Sequence, residues 1–500
     1  LLSLGMTEED AARALRPYLE NKQIKKVFFD SKSARHRFGA VEPVQADVML
    51  AEYLLCAGSE SMTSAHIFEK YACAEGACAL LHIAKKQDAA LAAKGMTALY
   101  RDLELPLARV LFDMEEVGFF VKPDVLRALG TEFSDRIKNL ADTVYALAGR
   151  EFNINSPAQL ADVLFADLAL PAGKKTKRGY STDNDVLETL DHPIIEPIME
   201  YRQIQKLKST YIDAMFALIS PSDGRIHTMF HQAVASTGRL SSAEPNLQNI
   251  PVRSDVGREI RRAFCAEKPG TVLVNADYSQ IELRLLAHLS GDKTLRNAFL
   301  NGEDIHTRTA AEVFSVPLDA VTPVMRSRAK AVNFGIVYGI SDFGLAKSIH
   351  ASRKEAAQFI EMYFARYPRV KAYMDESVAS AKRSGSAVTL LGRRRELPQL
   401  RAQNYNVRAF GERAAMNAPI QGSAADIIKL AMLAVWRKLK ERPELGTLIL
   451  QVHDELILEV AAEYAQESAA MLKETMESVM PLSVPLAAET HIGKTWFELK

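Results

Sequence analysis

Two aspartates, each at the end of an apolar run, could hold metal ions for phosphoryl transfer. Asp277 ends the run TVLVNAD, and Asp454 lies in the bend of LGTLILQVHDELILEV, whose two apolar halves predict a β-hairpin. If these strands are neighbours in one sheet, both carboxylates meet at its edge. Mg²⁺ is usually held by one or two carboxylates plus substrate phosphates, and two such ions about 4 Å apart stabilise the attacking and leaving oxygens. Either aspartate alone is more often an ordinary strand-end residue, so this interpretation requires a phosphate-binding element.

A helix predicted within 322–339 supplies such an element. In TPVMRSRAKAVNFGIVYG, Thr322 is the expected N-cap and Pro323 the first helical residue. Side chains four positions apart lie on one slowly drifting stripe of a helix, because each residue turns it by about 100°. The stripe consists of Arg326, Lys330, Phe334 and Tyr338. Two cations suit a triphosphate and aromatic faces suit a base, whereas the alternative is a solvated basic start that runs into core aromatics.

The tripeptide Asp-Phe-Gly at 342–344, which holds magnesium in protein kinases, raises a different interpretation. A kinase also needs a Gly-rich phosphate loop, a strand lysine in Val-Ala-Ile-Lys context and a His-Arg-Asp loop upstream. No Gly-x-Gly occurs in the chain, and no His-x-Asp precedes Asp342 at short range. We therefore predict a turn after Gly339, with Ser341 or Asp342 capping the next helix.

The composition is that of a folded protein with several domains. The chain has 500 residues, for which the length suggests about three domains. Lys plus Arg and Asp plus Glu number 62 each, so net charge gives no support to a nucleic-acid partner. The four cysteines lack paired Cys-x-x-Cys spacing, which favours a reduced, cytoplasmic protein over a zinc site built from Cys73, Cys78 and His82. No uninterrupted apolar run approaches a membrane span, and the start at Leu1 suggests a fragment.

The predicted secondary structure that must position these residues differs between the first 100 residues and the stretch that follows. Residues 1 to about 100 alternate helical stretches with short apolar runs such as KKVFFD, which indicates an α/β unit. From Leu105 to about Ser220 the pattern is helical, with Ser156 as a predicted N-cap. Within it, the loop 173–185 is either solvated or a tip that contacts phosphates. Its cations are Lys174, Lys175, Lys177 and Arg178.

Three stretches together carry a resemblance to a known family. DYSQIELR at 277–284, RSRAKAVNFGIVYG at 326–339 and QVHDEL at 451–456 resemble the three polymerase motifs of family A DNA polymerases. Further similar stretches are ASTGRLSSAEPNLQNIPVR at 235–253, DIHTRTA from Asp304, GERAAMNAPIQGSAADIIK from Gly411 and the ending IGKTWFELK. The resemblance covers about residue 100 to the end, and it is closest to the large (Klenow-type) fragment of bacterial members.

The resemblance implies an α/β (α+β) fold with the right-hand architecture of polymerases. It predicts a palm with an antiparallel sheet at 227–302 and 416–500, helical fingers at 303–415, and a thumb with connecting helices at 101–226. Residues 1–100 would then be a partial, degenerate 3′–5′ exonuclease-like domain of the RNase H-like α/β type. The implied reaction is DNA-templated addition of deoxynucleotides to a primer 3′ end.

The same resemblance implies a role for each matching residue. Asp277 and Asp454 would bind two Mg²⁺ ions, with Mn²⁺ as a substitute, assisted by the Tyr278 carbonyl, and Glu455 would support them. The expected nucleotide-binding residues are Gln280, Glu282, His306, Arg326, Lys330, Phe334 and Tyr338. Among them Glu282 would exclude a ribose 2′-OH, Lys330 would also protonate the departing pyrophosphate, and Phe334 in place of Tyr would disfavour dideoxynucleotides.

DNA contacts are implied in the same way. Arg239 and Gln421 would donate hydrogen bonds to minor-groove acceptors, which recur in every base-pair orientation and so test pair geometry without reading sequence. Arg413, Asn417 and His453 would lie near the template or primer terminus, and the cationic tip at 174–178 would contact the duplex backbone. The implied partners are primer–template DNA and deoxynucleoside triphosphates. We expect a monomer in the bacterial cytoplasm, with no membrane partner.

The N-terminal stretch departs from the proofreading pattern. KKVFFDSKSARHRF and QADVMLAEYLL resemble the exonuclease domain only loosely, and Asp30 matches one acidic position. The first Asp-x-Glu element would lie before Leu1, and HIAKKQDAALA lacks the expected Tyr-x-x-x-Asp arrangement. Because two-metal hydrolysis needs that carboxylate set, we predict an inactive exonuclease. Two alternatives to a DNA polymerase are a single-subunit RNA polymerase, disfavoured by Glu282, and a non-catalytic DNA-binding scaffold.

Overall fold

The computed structural model describes residues 7–57, 59–173, 175–176, 179–251 and 255–499. These residues form two compact units, each assembled from separate stretches of chain. The first unit comprises Leu1–Val117, Phe230–Ser242 and Val274–Ile492, and the second comprises Gly118–Met229, Ala243–Leu273 and Gly493–Lys500. The N-terminal stretch therefore shares a unit with the strand ends that carry Asp277 and Asp454. The five-part domain division drawn from the resemblance remains a prediction.

Helices dominate the described residues. In chain order they are α1 (Glu8–Leu19), α2 (Ser31–Phe38), α3 (Val48–Cys56), α4 (Ser64–Lys70), α5 (Ala77–Ala93), α6 (Leu105–Val117), α7 (Pro123–Ala148), α8 (Pro157–Ala161), α9 (Asn184–Leu187), α10 (Ile195–Leu207), α11 (Ala214–Phe216), α12 (Asp255–Ile260), α13 (Ile281–Ser290), α14 (Lys293–Leu300), α15 (Ile305–Val313), α16 (Pro323–Val337), α17 (Asp342–Ser348), α18 (Arg353–Arg366), α19 (Pro368–Ser384), α20 (Tyr405–Glu441) and α21 (Ala465–Ser478). A π-helical segment, Leu99–Glu104, precedes α6.

The strands are short except for those of one sheet. They are β1 (Lys26–Phe28), β2 (Val44–Asp47), β3 (Phe119–Phe120), β4 (Lys175–Thr176), β5 (Gly179–Tyr180), β6 (Arg225–Ile226), β7 (Met229–His231), β8 (Ser241–Ala243), β9 (Thr271–Tyr278), β10 (Ser386–Val388), β11 (Arg394–Glu396), β12 (Thr447–Val452), β13 (Glu455–Ala461) and β14 (Ala488–Gly493). The main sheet has the order β12–β13–β9–β14.

The predicted hairpin around Asp454 is confirmed. β12 and β13 are antiparallel, and Val452 pairs with Glu455 across a two-residue turn. His453, the first turn residue, has a left-handed backbone (φ 52°), as tight hairpin turns require. The two strands are almost entirely buried, whereas His453 in the turn is exposed and Asp454 is partly exposed.

The long helix α20 forms the centre of the first unit. It packs against α13, α19 and α6, and its middle third is a nearly continuous buried surface. By length and by the mean hydropathy of one 18-residue window (1.2), it is the one helix of the described part that could cross a membrane. Since 83% of that apolar window is buried within the protein, the hydropathy has the ordinary explanation of a core helix.

Helix starts follow the predicted capping residues. Thr322 accepts a hydrogen bond from the Met325 N–H at 3.2 Å, so α16 begins where expected. Ser341, rather than Asp342, caps α17 through the Gly344 N–H. Asp342 instead pairs with Arg353 at 2.6 Å, which leaves the Asp-Phe-Gly tripeptide at the helix start as predicted.

The second unit is built on α7 and α10, which pack side by side. Ser156 caps α8 through the Gln159 N–H, as predicted. The predicted loop at 173–185 contains a small antiparallel hairpin, in which Lys175 pairs with Tyr180. A separate aromatic cluster joins Phe119, Phe264 and Trp496, with ring centroids 5.2 to 5.9 Å apart.

Candidate active site

The structure places Asp277 and Asp454 at the same edge of the main sheet. β9 and β13 are neighbours, and the Tyr278 N–H donates to the Asp454 carbonyl oxygen at 3.1 Å. The end of β9 therefore lies beside the hairpin turn. Among the described residues, no group of three or more His, Cys, Asp and Glu side chains could hold a metal ion, and Cys73, Cys78 and His82 form no such group. Two carboxylates fit Mg²⁺, which takes its remaining oxygen ligands from water and phosphates.

Glu455 is held within the sheet. Its side chain is buried, and one carboxylate oxygen accepts a hydrogen bond from the Asn275 amide. The side-chain oxygen Oδ1 of Asn275 in turn accepts from the His491 backbone N–H at 2.8 Å. Our sequence analysis missed Asn275. Its signal was a polar residue in an apolar strand, two positions before Asp277 and so on the same face.

The cationic stripe begins on the exposed part of α16. Arg326 donates to the Asp304 carboxylate at 2.7 Å, and Asp304 also caps α15 by accepting from the His306 and Thr307 N–H groups. Lys330 is exposed one turn further on. Tyr338 is the C-cap of α16 rather than part of its body, so the aromatic half of the stripe lies at the helix end.

His306 and α16 are joined by a buried amide. The Asn333 amide nitrogen lies 3.0 Å from His306 Nδ1, and the Thr309 hydroxyl donates to the Asn333 oxygen at 3.2 Å. Burial lowers the pKa of His306 to about 4. The Asp304 charge raises this pKa, whereas the charges of Arg326 and Lys330 lower it further. The imidazole is therefore neutral near pH 7, and an amide donor at Nδ1 leaves the ring proton on Nε2. The sequence analysis had not identified Asn333 as part of this site.

Glu282 brings together three predicted residues from three chain segments. Its side chain is only 6% exposed. One carboxylate oxygen accepts from Arg239 Nη2 at 2.8 Å, and the other accepts from the Tyr338 hydroxyl at 2.9 Å. Burial and the Glu282 charge raise the pKa of Tyr338 to about 12, so the phenol stays protonated. Gln280 has a left-handed backbone (φ 56°), which turns the chain sharply from β9 into α13 and sets Glu282 in the first helical turn.

The predicted DNA-contacting residues of α20 share one helical face. Arg413, Asn417 and Gln421 are four positions apart, and the Asn417 amide donates to the Val337 carbonyl at 3.3 Å. Gly339 (φ 64°) packs directly on this helix, where a Cβ would lie 2.7 Å from Met416 Cε. Lys174, Lys177 and Arg178 lie outside the described residues, and only the backbone of Lys175 is described, in β4.

Comparisons with known proteins identify the family of the chain. The family model for DNA polymerase family A matches residues 123–498. The chain is 53% identical over 404 residues to DNA polymerase I of Geobacillus stearothermophilus, covering 80% of this chain and 46% of that protein. It is 42% identical over 529 residues to DNA polymerase I of Bacillus subtilis, covering 98% and 59% respectively. The chain thus spans about half the length of the curated relatives it matches.

A solved structure extends the likeness to almost the whole chain. The POL domain of Pol1 from M. smegmatis, in complex with DNA primer–template and dNTP, matches with a TM-score of 0.93 and 42% identity, over 99% of this chain and 90% of that chain. The chain belongs to DNA polymerase family A, and the resemblance to its Klenow-type members is confirmed. The exonuclease-like nature of residues 1–100 stays a prediction.

Proposed function

We propose that this protein is a DNA-templated DNA polymerase that adds deoxynucleotides to a primer 3′ end. The observation that carries the proposal is that Asp277 and Asp454 share one sheet edge, while the cations Arg326 and Lys330 line α16 of the same unit. Phosphoryl transfer asks mostly for positioning and for neutralisation of charge, which carboxylate-bound metal ions and a cationic helix supply. The solved relative described as a complex with primer–template and dNTP supports this substrate class.

In this proposal, Asp277 and Asp454 hold two Mg²⁺ ions, with the Tyr278 carbonyl assisting. Bound there, the metal ions would activate the primer 3′ hydroxyl and stabilise the charge on the leaving pyrophosphate. Glu455, whose carboxyl oxygen accepts from the Asn275 amide, supports the site from within the sheet. Mn²⁺ has the same preference for oxygen ligands and is the expected substitute.

The triphosphate is proposed to bind along α15 and α16. Arg326, which contacts Asp304 in the free protein, would turn to the phosphates when they bind. Lys330 would protonate the departing pyrophosphate. His306, kept neutral by its burial, offers an Nε2–H donor without adding a third charge. Phe334 stacks on the incoming base and Tyr338 stands at the templating position.

We propose that DNA is bound by hydrogen-bond donors that lie next to Glu282 and on α20. Arg239 and Gln421 would test minor-groove geometry, with Arg413, Asn417 and His453 near the primer terminus. The cationic tip at 174–178 would contact the backbone. We expect the protein to act as a monomer in the bacterial cytoplasm.

Proofreading is proposed to be absent. Asp30 is used as the N-cap of α2, accepting from the Lys32 and Ser33 N–H groups at 3.0 Å. Asp47 caps α3 and is fully buried, and burial, with the nearby Asp30 charge, raises its pKa to about 7. Carboxylates engaged in this way are poorly suited to hold two metals.

The test is extension of a labelled primer on a DNA template, with Mg²⁺, Mn²⁺ or a chelator. We expect extension with either metal and none with the chelator. Incubation without nucleotides should leave the primer intact, and shortening that survives loss of both Asp277 and Asp454 would contradict the exonuclease proposal. A protein that binds primer–template but never extends it would instead be a scaffold.

Replacement of Glu282 tests sugar selection. We expect Glu282→Ala to raise ribonucleotide incorporation relative to deoxyribonucleotide by about a hundredfold, because a buried carboxylate no longer fills the space of a 2′-OH. The measurement is kcat/KM for one ribonucleotide and its deoxy counterpart. Glu474→Ala, at an exposed acid on α21 outside this site, serves as the control. Unchanged ribonucleotide rejection would refute the assignment, and a wild type that prefers ribonucleotides would favour the RNA polymerase alternative.

A further inference from the structure

The loop that precedes Arg239 contains a tight turn held by a residue of the N-terminal stretch. In the turn 235–238, the Ala235 carbonyl oxygen accepts the Gly238 N–H at 3.1 Å. The same carbonyl oxygen accepts a second hydrogen bond, from the Tyr53 hydroxyl at 2.5 Å. Tyr53 lies on α3 and is 2% exposed, so water does not compete for this contact.

The other side of the turn rests on a buried guanidinium. Gly238 has a left-handed backbone (φ 85°), and a Cβ there would lie 2.7 Å from Arg393 Nε. Arg393 is itself fixed, because its Nε donates to Asp426 at 2.8 Å and its Nη2 contacts Glu104. The turn is therefore clamped between Tyr53 and Arg393 and has little freedom to shift.

Arg239 follows this turn directly. Its guanidinium donates to Glu282, which also accepts from Tyr338. Because Gly238 and Arg239 are joined by one peptide bond, a displacement of the turn also moves the backbone of Arg239. The turn is thus one peptide bond from Arg239, the predicted minor-groove donor. Through Arg239 and Glu282, two hydrogen bonds connect it to Tyr338, the residue proposed to lie at the templating position.

The phenol at position 53 is not explained by packing alone. Apart from Glu52, the helix sequence VMLAEYLLC is apolar around it, and Phe would fill nearly the same volume without needing a partner. Burial raises the pKa of Tyr53 far above its ordinary value, so the hydroxyl stays a neutral donor at any assay pH. A donor aimed at the turn carbonyl is what distinguishes Tyr from Phe here.

We propose that Tyr53 is a positioning residue for Arg239, through which the N-terminal stretch helps the polymerase site to reject mispaired primer ends. This inference rests on the proposed function, because Arg239 tests base-pair geometry only in a polymerase. It gives residues 1–100 a role that does not depend on exonuclease activity.

The test compares Tyr53→Phe with Tyr71→Phe. Tyr71 is a matched control, since its hydroxyl donates to Glu52 at 2.8 Å inside the same N-terminal stretch. The readout is the ratio of extension rates from a mispaired and a matched primer end. We expect Tyr53→Phe to raise this ratio about two- to tenfold, the effect of losing one buried hydrogen bond, and Tyr71→Phe to leave it unchanged.

A double substitution distinguishes an effect of Tyr53 on the position of Arg239 from a general loss of stability. In an Arg239→Ala protein, Tyr53→Phe should cause no further change in the ratio, because the residue through which it acts is gone. Gly238→Ala, which moves the turn from the Arg393 side, should reproduce the effect if Tyr53→Phe folds poorly. An unchanged ratio in both turn variants, or an equal change with and without Arg239, overturns the inference. A wild type that cannot extend any primer would instead overturn the proposed function.

Discussion

Asp454→Asn is expected to slow templated nucleotide addition by about a thousandfold or more while leaving primer–template affinity nearly unchanged. The substitution keeps the size of the side chain but removes the charge that would hold a metal ion. The backbone contact between the Tyr278 N–H and the Asp454 carbonyl does not involve the side chain, so the hairpin should persist. DNA affinity comes mainly from cations that contact phosphates, and none is altered.

Single-turnover incorporation of one deoxynucleotide, followed across a Mg²⁺ titration, measures this effect. Fluorescence anisotropy with labelled primer–template measures binding in the same samples. Glu489→Gln is the matched control, because Glu489 is an exposed acid on strand β14 of the same sheet. An incorporation rate near that of the wild type for Asp454→Asn would contradict the proposal that two carboxylates bind the metal ions. An equal loss of rate in Glu489→Gln would show a general effect of removing negative charge.

Glu104→Gln is expected to lower the free energy of unfolding of the first unit by about 3 to 5 kcal/mol. Glu104 and Lys429 are both 0% exposed and lie 2.6 Å apart, and Arg393 contacts the same carboxylate oxygen. The second Glu104 oxygen accepts from Gln232 at 2.7 Å. With a neutral amide at position 104, the buried cations Lys429 and Arg393 would keep Asp426 as their one carboxylate partner in this cluster. Leaving buried charge without its partner costs far more free energy than losing an exposed ion pair.

The pH dependence of this effect has a definite sign. Burial alone would raise the pKa of Glu104, but the charges of Lys429 and Arg393 outweigh it and hold the value at about 2. A carboxyl with a depressed pKa stabilises the fold above its ordinary value of 4.5 and loses that contribution as pH falls toward 2. The stability difference between wild type and Glu104→Gln should therefore be constant near neutral pH and shrink below about pH 4.5.

Urea unfolding followed by tryptophan fluorescence measures this prediction. The chain has two tryptophans, and Trp436 lies on α20 of the first unit, so a Trp496→Phe background reports that unit alone. Asp88→Asn is the control, since Asp88 pairs with Arg101 at 2.6 Å but both side chains are about half exposed. We expect that control to cost under about 1 kcal/mol. Equal losses from the two substitutions would show that burial does not amplify the contribution of Glu104.

The partners of buried polar residues could not be predicted from the sequence. Asn275 and Asn333 contact Glu455 and His306, which the sequence analysis had already assigned to the site. Tyr53 contacts Ala235, four positions before the predicted DNA-binding residue Arg239. A lone polar residue in an apolar stretch signals that a partner exists, because an unpaired buried polar group is costly. It does not say which partner, since the contacting residue lies 27 to 182 positions away.

The sequence by itself determined the elements whose causes are local. The apolar run that forms β9, the turn at His453 and Asp454, and the caps Thr322 and Ser156 depend on neighbours within a few positions, and they formed as predicted. The polymerase motifs likewise identified the family, because each is a continuous stretch. Only the tertiary structure decided that the N-terminal stretch joins the unit of the main sheet and that Tyr53 reaches the turn before Arg239. The physical reason is that helix and turn formation are governed by short-range backbone hydrogen bonding, whereas long-range polar contacts are selected by the packing of the whole core.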